Sequence, residues 1–125
     1  MRKNLRRFWN CRLLLIAAAL LSLAMAPFPA IDVTLQWGVN TEPNLAGYRI
    51  YYKMDSSGEP YDGIEANEGT SPITVPLEDL DDPYNPQYTL TGLLDGTAYF
   101  FVVTAYSTAG LESGYSDEVS TGQYE

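Results

Sequence analysis

From residue 32 onward, apolar and polar residues alternate with a period of two in short bursts separated by turn-forming residues. Val33, Leu35 and Trp37 share one face against Asp32, Thr34 and Gln36. Tyr48, Ile50 and Tyr52 oppose Arg49, Tyr51 and Lys53 after the turn Asn40-Thr41-Glu42-Pro43-Asn44. Tyr88 and Leu90 alternate with Thr89 and Thr91. Tyr99, Phe101, Val103 and Ala105 alternate with Phe100, Val102, Thr104 and Tyr106, and Val119 closes a last short segment after Gly114. Alternation of this kind places successive side chains on opposite faces of a strand. No window carries a helical stripe, and a sheet with one apolar face must bury that face against another. The expected fold is therefore all-β, an antiparallel sandwich. Its 95 residues (31–125) suffice for one core and no second domain.

Charge is segregated along the 125 residues. Arg2, Lys3, Arg6, Arg7 and Arg12 all precede residue 31, with no acid among them. The body holds only Arg49 and Lys53 against all 16 acids, a net charge of −14. Such a body repels phosphate, which argues against nucleic acid or an anionic membrane surface as its partner. The chain has no His, and its one cysteine is Cys11. The body thus lacks the residues for Ser-His or Cys-His catalysis, imidazole or thiolate zinc sites and disulfides.

Residues 1–30 have the pattern of an export signal. The basic stretch to Arg12 leads into the apolar run from Leu13 to Ala26, whose 14 residues fall short of the ~20 needed to span a bilayer. Small residues favour cleavage after Ala24, with Ala30 the second choice, because Pro27 follows the Ala26 alternative. An uncleaved anchor is the competing expectation, opposed by the helix-breaking Pro27 and Pro29. Cys11 precedes the run rather than following it, so it does not mark a lipid-modified residue, and the Arg6-Arg7 pair lacks the flanks of a twin-arginine signal. The expected destination is secreted, periplasmic or cell-surface, with no stable membrane span after signal removal.

Taken together, Val33-Thr34-Leu35-Gln36-Trp37, Gly47-Tyr48-Arg49-Ile50-Tyr51-Tyr52, Tyr88-Thr89-Leu90-Thr91-Gly92-Leu93, the run Gly96 to Ala105 and the run Ser113 to Val119 resemble the fibronectin type III family in order and spacing. The likeness extends from residue 31 to about 121. It implies an immunoglobulin-like sandwich with Trp37 as a core residue against Tyr48, Ile50 and Phe101. It also implies a tyrosine corner at Tyr99, whose ring packs inside while its hydroxyl bonds to backbone upstream. Two departures stand out. The first strand is short or missing, reduced at most to residues 27–31, and residues 54–87 form a 34-residue insertion where short turns would suffice. Within it, Ser71 to Leu77 reads as a short edge strand flanked by prolines.

Two sites emerge. The outward face of the alternating segments 48–53, 99–106 and 113–119 gathers Arg49, Tyr51, Lys53, Phe100, Val102 and Tyr106, aromatics beside the only two cations of the body. That is a docking patch for a protein or glycan, unless the insertion covers it through Tyr61, Ile64 and Tyr84. Glu78, Asp79, Asp81 and Asp82 form an acidic cluster, either a solvated turn or a weak calcium site, since calcium takes several oxygen ligands. Their spacing matches no calcium loop, and the solvated turn is the preferred reading, with no cofactor expected. Paired carboxylates alone do not make a glycosidase without a cleft, and no Arg-Gly-Asp motif suggests integrin-type adhesion. The expected role is a non-catalytic exported binding or adhesion module. The alternative is an assembly subunit of an envelope complex acting through self-association.

Overall fold

The computed structural model describes residues 14–17 and 29–122. It contains seven strands: β1 (Leu14–Ala17), β2 (Ala30–Gln36), β3 (Leu45–Met54), β4 (Ile73–Pro76), β5 (Gln87–Leu94), β6 (Tyr99–Ser107) and β7 (Val119–Ser120), with one 3-10 turn at Leu77–Asp79. All pairings are antiparallel. One sheet runs β1-β2-β5 and the other β4-β3-β6-β7.

The alternation seen in the sequence sets the core. Val33, Leu35, Tyr48, Ile50, Tyr52, Leu90, Leu93, Tyr99, Phe101, Val103 and Ala105 are fully buried in one cluster drawn from both sheets. Burying a side chain such as Phe101 stabilises the fold by roughly 1.5–3 kcal/mol relative to leaving it in water. Trp37, just beyond β2, meets the Tyr48 ring edge-on at 5.1 Å, while Phe101 packs with Tyr52 and Tyr99 at 6.5 and 6.3 Å. The Tyr99 hydroxyl accepts the Leu94 N–H at 3.1 Å. This is the tyrosine corner, which pins the turn from β5 into β6 from within the core.

Four local features bear on the expectations. Ala30 and Ile31 do not form a separate first strand; Ile31 is buried opposite Leu93, so these residues extend β2 across a register shift before Val33. The place beside β2 is taken by Leu14–Ala17, paired with Ile31–Thr34. The proline-flanked edge strand does form, as β4 alongside Gly47–Ile50. The last strand is regular only at β7. Residues 113–121 otherwise follow β6 through hydroxyls, because Ser113, Ser116 and Thr121 accept the N–H groups of Ala105, Val103 and Tyr99 at 2.9, 3.0 and 3.0 Å. Their own N–H groups bond back to the carbonyls of the same three residues. A hydroxyl standing in for a carbonyl keeps the pairing satisfied while freeing the backbone from ladder geometry.

Ahead of β4, the insertion is bound to the sandwich on one side by Tyr52. Its hydroxyl donates to the Gly69 carbonyl at 2.8 Å and accepts the Ala66 N–H at 2.9 Å. The Tyr52 backbone bonds to Gly63 N–H and the Ser71 hydroxyl. A Cβ on Gly63 would collide with the Tyr52 ring, so glycine is required there. The segment then reaches the other sheet, where Glu68 accepts from both the N–H and the hydroxyl of Thr91.

Because Trp37 is only 4 % exposed, replacing it with alanine removes a large buried aromatic. Trp37→Ala is expected to lower stability by roughly 3–5 kcal/mol in chemical denaturation. A midpoint close to that of the parent would show that the ring does not contribute to the core.

Candidate functional site

The outward face of β3 and β6 carries the patch expected from alternation, but the structure divides its six residues. Arg49, Tyr51, Phe100 and Tyr106 are partly exposed. Lys53 and Val102 are not available: Lys53 is 8 % exposed and Val102 is 2 % exposed, outside the interior cluster. Alternation assigns a face, and the insertion then determines what stays open on it. The Lys53 ammonium donates to the Gly58 carbonyl at 2.7 Å, while Gly58 N–H and the Tyr61 hydroxyl both donate to Glu118 at 2.9 and 2.6 Å. Of the three residues expected to cover the face, Tyr61 does so. Ile64 and Tyr84 remain 69 % and 80 % exposed.

The centre of the face is Glu112, delivered by the loop after β6. Tyr106 bridges to Glu112 in backbone pairing. Its carboxylate accepts from Arg49 at 3.1 Å, from the Thr104 hydroxyl at 2.7 Å and from the Tyr51 hydroxyl in a short contact. The Arg49 guanidinium lies 4.3 Å over the Tyr106 ring, a cation–π arrangement. Tyr115 stands edge-on to Tyr51 at 5.1 Å and to Tyr61 at 5.4 Å. Between these groups opens a hollow of about 290 Å³ lined by Tyr51, Thr104, Glu112, Ser113, Gly114 and Tyr115.

Electrostatics follow from this geometry. Partial burial disfavours the Glu112 anion, but donation from Tyr51, Thr104 and Arg49, with the Arg49 charge, outweighs it and holds the carboxyl below its usual range. Burial first, and then the Glu112 and Glu118 carboxylates, push the Tyr51 and Tyr61 phenols upward. Burial and a hydrogen bond to Glu59 raise Tyr115 likewise. Among the described residues Arg49–Glu112 is the single ion pair. On this acidic body the tyrosine hydroxyls take the part that cations play elsewhere.

The acidic cluster is different in kind. Glu78, Asp79, Asp81 and Asp82 are exposed around the turn after β4. Asp82 accepts Asn85 Nδ2 at 2.9 Å and the Tyr84 N–H at 3.0 Å, which lowers its pKa. Among the described residues, no three His, Cys, Asp or Glu side chains are gathered as ligands for a metal ion.

The residues that alternation did not bring forward are Glu112, Tyr115, Glu118 and Tyr61. They lie in irregular chain, and their meeting depends on contacts across 57 to 61 residues of sequence. The available signal was the excess of acids over cations, which requires neutral donors for any ordered carboxylate.

The two sheets, the core tryptophan and the tyrosine corner define an immunoglobulin-like sandwich with a decorated outer face. The chain belongs to the fibronectin type III domain family, whose model matches residues 29–122. No curated protein matches the chain. Domains of this family generally serve as non-catalytic binding modules. No described helix is long and apolar enough to cross a membrane.

A group whose folded pKa is depressed contributes stability that is complete above its unfolded pKa and is lost as pH falls through the folded value. Glu112 meets that description. Acid titration of the melting temperature is expected to show a decline below about pH 5 that is shallower in Glu112→Gln. An acid limb unchanged in the variant would show that the Tyr51–Glu112–Arg49 cluster contributes nothing.

Proposed function

We propose that the chain is an exported, non-catalytic binding module that engages a protein or glycan outside the cytoplasm through the outer face of its four-stranded sheet. The observation that carries this reading is the ordered set Tyr51, Glu112 and Tyr115 around an open hollow, with Tyr115 itself 44 % exposed. Aromatic anchors held in place before binding lose little freedom on association, and such residues dominate interface energetics. A hydrolytic role for Glu112 fits poorly, since a general acid needs a raised pKa and Glu112 is shifted the other way.

Export is supported by the basic stretch and the Leu13–Ala26 run. Cleavage after Ala24, a position outside the described residues, would leave β2 whole. Cleavage after Ala30 would remove the Pro29 carbonyl that accepts the Asp95 N–H, together with Ala30, which pairs with Leu94. Calcium at the acidic turn is a subsidiary proposal with weaker support, because Asp82 already serves its own turn.

One observation favours the assembly reading. Among the described residues, the edge of β2 is closed by Leu14–Ala17, which belongs to the apolar run. Removal of the signal would bare the Ile31–Thr34 backbone, and an open edge is a template for another strand. On sizing chromatography of the processed chain, a monomer supports the binding module and a dimer or larger species supports assembly.

The docking reading is tested by capture from native envelope material with the wild type and Tyr115→Ala. Expected is a clear loss of captured partner with a melting temperature within a few degrees of the parent, because an exposed ring contributes little to packing. Undiminished capture by the variant would remove the face from consideration.

A further inference from the structure

The outer face gathers three tyrosine rings and three carboxylates. The Tyr51 and Tyr61 hydroxyls donate to Glu112 and Glu118, and Glu59 lies close enough to Tyr115 to raise the pKa of its phenol. Tyr115 itself is 44 % exposed. A ring face carries the negative part of the aromatic quadrupole, and a carboxylate carries full negative charge. Both attract the same kind of visitor, a cation.

The chain shows how this chemistry works on itself. Arg49 lies 4.3 Å over Tyr106 while its Nη1 is 3.1 Å from Glu112. The other side of the same carboxylate borders the 290 Å³ hollow, whose lining includes Tyr51 and Tyr115. Both cations of the body are engaged: Arg49 in its ion pair, and Lys53 buried against Gly58. Arg49 is thus paired with one of the 16 acids, and among the described residues no other acid has a cation in an ion pair.

We infer that the hollow between Tyr51, Glu112 and Tyr115 receives an arginine or lysine side chain from a basic segment of a partner protein. This rests on the outer-face reading above and narrows its partner from protein or glycan to a cationic protein segment. Rings and acids supply complementary charge, while the hydroxyl–carboxylate bonds hold the receptor in shape before the ligand arrives.

The test uses the processed chain with three unstructured synthetic peptides of equal length, carrying arginines, lysines or glutamates, titrated calorimetrically at low and high salt. The arginine and lysine peptides are expected to bind, the glutamate peptide not to bind, and affinity to fall with salt as exposed charges are screened. Tyr115→Ala and Glu112→Gln are each expected to weaken binding roughly two- to five-fold, the scale of one exposed cation–π contact. Asp81→Asn, which removes one charge at the acidic turn, is expected to bind as the parent does. Equal weakening by Asp81→Asn and Glu112→Gln would overturn the proposal in favour of diffuse attraction. So would parental affinity in both Tyr115→Ala and Glu112→Gln. The two readings fail separately. If Tyr115→Ala loses envelope capture but no cationic peptide binds the parent, the face docks a partner of other chemistry and the cationic receptor is refuted. If the arginine peptide depends on Tyr115 while envelope capture does not, the receptor is supported and the envelope-docking reading falls.

Discussion

The Tyr52 hydroxyl decides what this sandwich presents to its surroundings. It projects from the interior side of β3, donates to Gly69 and accepts from Ala66, and so fastens a long insertion to the fully buried ring of a core residue. Loops normally lie on the surface because their backbone groups need water. Here those groups are met by Tyr52, Ser71 and Thr91, which lets the segment pack closely and reach across to β5. From that anchor follow the burial of Lys53 under Gly58 and the approach of Tyr61 to Tyr115. The outer face is thus a product of the insertion as much as of the sheet.

Charge imposes the second constraint. With two cations among so many acids, an ordered carboxylate on this body must be stabilised by neutral donors. Tyr51, Thr104, Tyr61 and the Gly58 N–H supply them at Glu112 and Glu118. At Glu118 these donors satisfy geometry without cancelling charge, whereas Glu112 is also paired with Arg49. Such ordering suits recognition of a cation, because the cost of ordering the side chains is met before the partner arrives.

The fold was legible in the sequence because a strand has a period that residues must obey. Tyr48, Ile50, Tyr52, Phe101 and Val103 lie inward as their positions require, and Tyr99 makes its corner as the family likeness implies. The site was only half legible. Position along a strand placed Arg49 and Tyr51 on the outer face correctly, but it carries no information on what later folds over that face, so Lys53 and Val102 were assigned to a surface from which they are excluded. Glu112 and Tyr115 escaped notice because Ser113 and Ser116 replace ladder carbonyls with hydroxyls, which breaks the alternation that would have revealed their direction. The first strand was expected to be short or missing, and residues 29–31 form no separate one. Ile31 continues the β2 pattern into the core, so Ala30 and Ile31 belong to that strand.

If the insertion is part of the fold, its backbone must be protected as the strands are. Amide hydrogen exchange measures this directly at Gly63, Ala66, Asn67 and Ser71, whose N–H groups bond to the Tyr52 carbonyl, the Tyr52 hydroxyl, the Thr91 carbonyl and the Gly63 carbonyl. Protection at these four amides is expected within about an order of magnitude of that in β3 and β6, and to fall selectively in Tyr52→Phe, since opening then occurs locally rather than globally. Exchange at the rate of an unstructured peptide in the parent chain, with β3 and β6 still protected, would contradict the account: the insertion would not be anchored, and the face built on it would not exist as described.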